Sequence, residues 1–182
     1  METADAGAMD ALTELFADID ARVQQIRSGQ PDWPCARGCD DCCHQLAGLP
    51  RLSTAEWMLL QQGLERLPAQ VLAAVRQRLA ALAEQPAGPY VCPLLETQTG
   101  ACSVYPQRPV ACRSYGFYVQ RDKGLYCGRI RTEADAGRLD EVVWGNHDRV
   151  DARLAGLGDS FSLLEWFARW SEAAAQPRDA VR

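Results

Sequence analysis

Apolar residues recur at steps of three and four between Asp10 and Arg27: Leu12, Leu15, Phe16, Ile19, Val23 and Ile26, with Asp10, Glu14, Asp18 and Arg22 interleaved. That spacing draws a single apolar stripe along an α-helix over 10–27. "SGQPDWP" ends it with Gly29, Pro31 and Pro34 and leads irregularly into the next segment. A second helical pattern opens at Ser53, with Glu56 three residues on in the spacing of a capping box, and runs through Trp57, Leu60, Leu64 and Leu67. Pro68 restarts the pattern. Val71, Val75, Leu79 and Leu82 predict a third helix to about Gln85, where "PAGP" stops it. These two helices are expected to form a hairpin joined near Pro68.

Between Pro86 and Gly128 neither helical nor strand period holds. Proline, glycine and aromatic residues punctuate a largely irregular run, with a short helix expected near "RPVACR". In "RLDEVVWGNHDRV" the four residues "EVVW" fit a short strand or a buried helical turn equally well. Asp159 or Ser160 is placed to cap a last helix over 159–175 carrying Phe161, Leu164, Phe167 and Trp170, and "QPRDAVR" is expected to fray after it. The predicted fold class is mainly α: a small helical domain with an irregular cysteine-rich metal-binding half over 35–127, all within one domain spanning 1–182.

A chain of 182 residues is long enough to bury a core without covalent staples. Nineteen Lys and Arg against 24 Asp and Glu give a net charge of -5 without long blocks of one sign, so nucleic acid is not an expected partner. The amino terminus, "METADAGAMDALTELFADID", has neither the basic start nor the apolar stretch of a secretory signal, and no apolar run is long enough to span a membrane. The expected location is therefore cytoplasmic.

That expectation changes how the cysteines are read. Eight are present: a tight group, Cys35, Cys39, Cys42 and Cys43, and a dispersed one, Cys92, Cys102, Cys112 and Cys127. A reducing compartment disfavours disulfides, whereas metal sites use cysteine as thiolate. All eight are candidate metal ligands, and the metals that soft sulfur accepts include zinc and iron, the latter also as an iron-sulfur cluster. Buried cysteine also behaves as a small hydrophobe, so Cys92 or Cys127 taken singly fits core packing, but four cysteines within nine positions do not.

The C-x2-C step from Cys39 to Cys42 lets both sulfurs reach one metal. Cys42 and Cys43 are adjacent, and neighbouring side chains in an extended loop diverge, so one of them is free for a second centre, a bridge or packing. The remaining ligands are expected from the dispersed group, brought close as the helical hairpin closes loop on loop. Cys35, Cys39 and Cys42 also match the C-x3-C-x2-C spacing of radical S-adenosylmethionine enzymes. Asp41 stands where those enzymes place an aromatic residue, and strand–helix alternation is missing, so that reading is set aside.

"CARGCDDCC" together with "CPLLETQTGACSVYPQRPVACRSYGF" resembles the YkgJ-type cysteine-cluster family, described as zinc- or iron-chelating domains and often labelled iron-sulfur oxidoreductases. The resemblance runs from about Cys35 to Cys127 and rests on Cys39, Cys42, Cys43, Cys92, Pro93, Cys102, Tyr105, Arg108, Pro109, Cys112 and Arg113. The chain departs from the family in its "GAC" and in the three residues between its first two cysteines, and neither change removes a thiol.

Thiolates are stabilised by nearby cations and hydrogen-bond donors. Arg108 and Arg113 are expected to fill that role and Arg37 is placed to do so, while Tyr105, Tyr115 and Phe117 either shield the centre or form local core. His44 is expected to neighbour the thiolates rather than replace one. His147 could pair with Asp148 as a base, but no nucleophile motif accompanies it, which favours a histidine in a turn. The leading expectation is a metal-chelating protein. A redox carrier or oxidoreductase, and a metal-stabilised scaffold for a partner protein, are the competing classes.

Overall fold

A computed structural model of the chain describes residues 2–121, 123–124 and 127–175. The segment "QPRDAVR" lies outside them. Eight helices and six short strands are present among the described residues, so the protein is mainly α. Helix α1 (Glu2–Gly29) extends the predicted helix at its amino-terminal end, and Leu12, Leu15, Ile19, Val23 and Ile26 form its buried stripe. Then come α2 (Asp41–His44), β1 (Arg51–Ser53), α3 (Thr54–Glu65) and α4 (Ala69–Ala83). Ser53 and Glu56 make the expected capping box: the Ser53 hydroxyl accepts from the Glu56 amide, and the Glu56 carboxylate accepts from the Ser53 amide.

Helix α3 stands between two hydrophobic cores. Ala55 and Leu59 face the first, which contains the α1 stripe, Trp33, Val110, Phe117, Tyr118, Ile130 and Val150. Trp57, Leu60 and Leu64 face the second, with Val75 and Leu79 of α4 and with Leu94, Leu95, Val104, Leu163, Trp166 and Phe167. The two faces follow from spacing alone, since positions 55 and 59 lie one turn apart and 57, 60 and 64 continue a different row. Trp57 stacks on Trp166 with ring centroids 5.5 Å apart, and the Trp166 indole donates to the Leu52 carbonyl at 2.9 Å, so the large rings bury area without stranding a polar group.

The irregular half contains β2 (Leu95–Glu96) and β3 (Ala101–Cys102), paired antiparallel, a 3-10 turn over Tyr105–Gln107, α5 (Val110–Ser114) and β4 (Tyr118–Val119). The short helix expected near "RPVACR" is α5. Two further helices had no counterpart in the predicted pattern: α6 (Gly128–Asp135) and α7 (His147–Leu154), each too short and polar to show a clear stripe. "EVVW" forms neither a strand nor a helical turn. The strand is β5 (Gly145–Asn146), just beyond it, parallel to β4, where the Tyr118 ring lies 2.4 Å from where a Cβ on Gly145 would stand. Only glycine fits there.

The last helix also begins later than predicted. Residues Ser160–Ser162 form β6, antiparallel to β1 with Leu52 opposite Phe161, and α8 runs over Leu163–Ala175. Neither Asp159 nor Ser160 caps it. Ser162 does, its hydroxyl accepting from the Glu165 amide and its amide donating to the Glu165 carboxylate. Strand pairing removed Phe161 from the helix and moved the start to the next serine with a glutamate three residues on.

Candidate metal centre

The first cysteine group does not lie wholly on a loop. Cys39 follows a tight turn closed by its amide on the Ala36 carbonyl, and Gly38 takes φ +92° within it. Asp40 then starts α2, its carbonyl accepting from the amides of Cys43 and His44, so Cys42 and Cys43 are helical rather than extended. Successive helical side chains start about 100° apart, yet the two thiols meet in a hydrogen bond.

The chain returns to this group after α4. Leu46 and Tyr90 exchange backbone hydrogen bonds of 3.0 and 2.8 Å, and the Cys92 amide donates to the Cys43 carbonyl at 2.7 Å. The β2–β3 turn carries Cys102 and packs on the first loop so closely that a Cβ at Gly100 would lie 2.7 Å from the Gly38 carbonyl oxygen. Gly116 performs the same service behind Cys35: a Cβ there would stand 3.4 Å from its sulfur, and the Cys35 thiol lies 3.7 Å from the Tyr115 carbonyl. Gly100 and Gly116 both have positive φ, so glycine suits these positions by conformation as well as by space.

Cys35, Cys39, Cys42, Cys43, Cys92, Cys102 and Cys112 line one cavity of ≈ 90 Å³, whose wall includes members of both cores. Cys112 is exposed as well as part of this wall. Cys127, directly before α6, is not in the wall but lies close enough to Cys35 to act on it electrostatically. Among the described residues, no three His, Cys, Asp or Glu side chains are gathered as a finished coordination shell. The donor set itself suits a soft metal, and binding would draw the thiols inward.

Basic and aromatic groups surround the thiols. Arg108 and Arg37 lie 4.1 and 5.3 Å from the ring centre of Tyr105, and Arg108 acts favourably on the thiolate forms of Cys102 and Cys112. Arg113 lines the cavity but is also committed elsewhere. It is buried, ion-paired to Asp20 of α1 at 2.9 Å, bonded to the Pro106 carbonyl, and stacked on Phe16 at 3.9 Å. It therefore ties α1 to the ligand-bearing segment. Arg27, absent from the expected set, donates to the Cys35 carbonyl at 2.9 Å, lies over Phe117 at 5.3 Å and favours the Cys35 thiolate. Its place in the last turn of α1, eight residues before Cys35, was the available signal.

His44 is turned out of the cavity, with Nε2 3.0 Å from the Asp40 carboxylate. His147 is the first residue of α7, and its Nδ1 lies 3.2 Å from Asp151, one turn on, rather than pairing with Asp148.

Burial, then the charges of Cys39, Cys42 and Cys127, push the Cys35 thiol up to about 12. For Cys43 the hydrogen bond with Cys42 lowers the value, but the bond with Cys92, burial and the nearby thiols outweigh it and bring it up to about 12. Cys42 is raised by its hydrogen bond with Cys43 and by burial, and Cys102 chiefly by burial. These folded values exceed the ordinary 9.0, so the metal-free folded chain retains protons that the unfolded chain releases. Its stability is full below about pH 9 and falls as pH climbs toward about 12. Denaturant midpoints of reduced, metal-free protein should drop across that window, and a flat profile would contradict the crowding of buried thiols. Metal-loaded protein, with thiolates already ionised, should lack that slope.

The family model described as "Putative zinc- or iron-chelating domain" matches residues 34–136, more than half of the chain. The protein belongs to this CxxCxxCC family. The matched stretch contains all eight cysteines, together with Tyr105, Arg108 and Arg113. No curated protein and no solved structure matches the chain. No helix among the described residues is long and apolar enough to cross a membrane.

Proposed function

We propose that the protein chelates zinc or iron through its cysteine thiolates, in the cavity between the two cores. The observation that carries this reading is the convergence of seven cysteines, from segments as far apart as Cys35 and Cys112, on one cavity. Such convergence has little value for packing, since crowded thiols that repel one another's ionised forms gain nothing a valine would not supply. A bound cation reverses that balance, because it stabilises thiolates and cross-links the loops that carry them. Arg108 and Arg27 supply further positive charge beside the sulfurs, and Tyr105 positions Arg108. All eight cysteines are proposed ligands, in a single cytoplasmic domain.

Protein purified without oxygen and assayed for zinc, iron and acid-labile sulfide tests the reading. Stoichiometric zinc in a colourless protein supports chelation by thiolates and rules against a redox carrier. Iron with sulfide and a visible charge-transfer band indicates an iron-sulfur cluster. Serine at Cys39, Cys42, Cys102 or Cys112 should lower metal content in each case. Protein that holds neither metal, and takes up none when reduced, would refute the proposal.

A further inference from the structure

A second cavity, of ≈ 560 Å³, opens between α1 and α7 at the β4–β5 pair and shares no lining residue with the thiol cavity. Its charged walls come from two helical repeats. Asp18 and Arg22 lie one turn apart on α1, and Arg149 and Arg153 one turn apart on α7, so both pairs line the same cleft. Three guanidinium groups against one carboxylate leave this lining positive in a chain whose net charge is -5. Arg153 is paired with Asp18, and Arg22 reaches the Val143 carbonyl at 3.4 Å. Arg149 is exposed, and its guanidinium has no hydrogen bond or ion pair among the described residues. Tyr118 is an independent sign of a ligand. It is only 8 % exposed, its ring is seated on Gly145, and its hydroxyl has no hydrogen-bond partner among the described residues. A hydroxyl so enclosed forgoes stability unless something entering the cleft answers it. Burial raises it above its ordinary range, so it stays a donor at neutral pH; Arg22 and Arg153 oppose that rise, and Asp18 and Asp20 add to it. The hydroxyl therefore stands among the charges of the cleft. Phe117, one residue earlier, lines the thiol cavity instead, as alternation along an extended chain requires.

We propose that this cleft binds a small aromatic anion, a carboxylate or phosphate carried on a planar ring. Arg149 and Arg22 offer forked donors that match the paired oxygens of either group, and the Tyr118 hydroxyl adds a third donor. Arg153 neutralises Asp18, so the one carboxylate in the lining opposes an anion only weakly. The ring has its own surface: Trp144, held 5.4 Å from Trp33, together with Leu15, Ile19 and Val150. A cleft of this volume falls in the range of small-molecule sites and exceeds what an inorganic ion would fill. The proposal goes beyond metal chelation, and because the two cavities share no lining residue it stands or falls separately from it.

Calorimetric titration of the full-length protein with 2-naphthoate, 2-naphthyl phosphate, neutral 2-naphthylmethanol and inorganic phosphate provides the test. At least one naphthyl anion is expected to bind at a single site, and the tighter of the two identifies the acid group. The neutral alcohol and inorganic phosphate should each bind at least about tenfold more weakly, since each lacks half of the recognition. Arg149→Ala should weaken the naphthyl anion about tenfold or more, and Tyr118→Phe by about threefold to tenfold. Neither change removes an interaction within the folded chain, so both variants should keep the denaturation midpoint of the unaltered protein. Arg66→Ala, outside the cleft, should leave binding unchanged and so separates a built site from general attraction to surface charge. No binding of either naphthyl anion, equal binding of the neutral alcohol, or affinity unmoved by both Arg149→Ala and Tyr118→Phe would overturn the proposal. The titrations of the unaltered chain decide the matter even if a variant fails to fold.

Discussion

Stripping metal from the protein is expected to lower its thermal midpoint by roughly 8 to 16 °C. Where a site is unfinished until the metal arrives, binding free energy becomes folding free energy. Free metal at a thousandfold over its dissociation constant adds about 4 kcal/mol, and in a chain of this size each kcal/mol moves the midpoint by about 2 to 4 °C. The loss should be local at first. Core residues such as Leu15, Ile19, Leu60 and Leu64 are buried whatever happens at the thiols, so α1 and α3 should persist. The Cys92 and Tyr90 amides, whose hydrogen bonds join the two loop systems, should lose hydrogen-exchange protection earlier. Calorimetry with and without chelator, under reductant, measures the effect; coincident transitions would argue against a resident metal.

Replacing Glu56 with alanine is expected to cost about 3 to 5 kcal/mol, the largest effect we anticipate outside the cysteines. Glu56 is 3 % exposed, and its carboxylate serves two elements at once. Oε2 accepts from the Ser53 amide and hydroxyl, each at 2.9 Å, and Oε1 accepts from the Val110 amide at 2.9 Å. Alanine leaves those buried donors unpaired, at about 1 to 3 kcal/mol each when no substitute is found. Glutamine should be milder, since it keeps one accepting oxygen but turns an amine toward the remaining donors. Because Val110 begins α5, the alanine variant should also hold less metal through displacement of Cys112. Chemical denaturation and metal analysis read both consequences; a loss under 1 kcal/mol with metal unchanged would show that the bridge to α5 is dispensable.

Glu56 also marks where reading along the chain stops being sufficient. Its bond to Ser53 was legible because a capping box needs only residues three apart. Its bond to Val110 spans 54 residues and left no local trace. Phe161 tells the same story: it fits the period of the last helix, but pairing opposite Leu52 holds it in a strand, and the cap passes to Ser162. Helices α6 and α7 went unpredicted because each buries little more than a single apolar side chain, Ile130 and Val150. Arg27 and the close-packed Gly100 and Gly116 could be suspected from their nearness to cysteines, but their partners could not be named.

The chain by itself determined the long helices, the capping box and the identity of the donors: eight thiols, too dense in one stretch to be core, with basic and aromatic residues beside them. These are properties of residue type and short spacing, and local geometry translates them directly. Tertiary structure alone decided how the donors group. Cys35 and Cys127, and Cys43 and Cys92, are brought close across long intervals. The physical reason is that spacing gives α3 its two faces, but which distant residues pack on each face depends on non-local contacts that no spacing along the chain encodes.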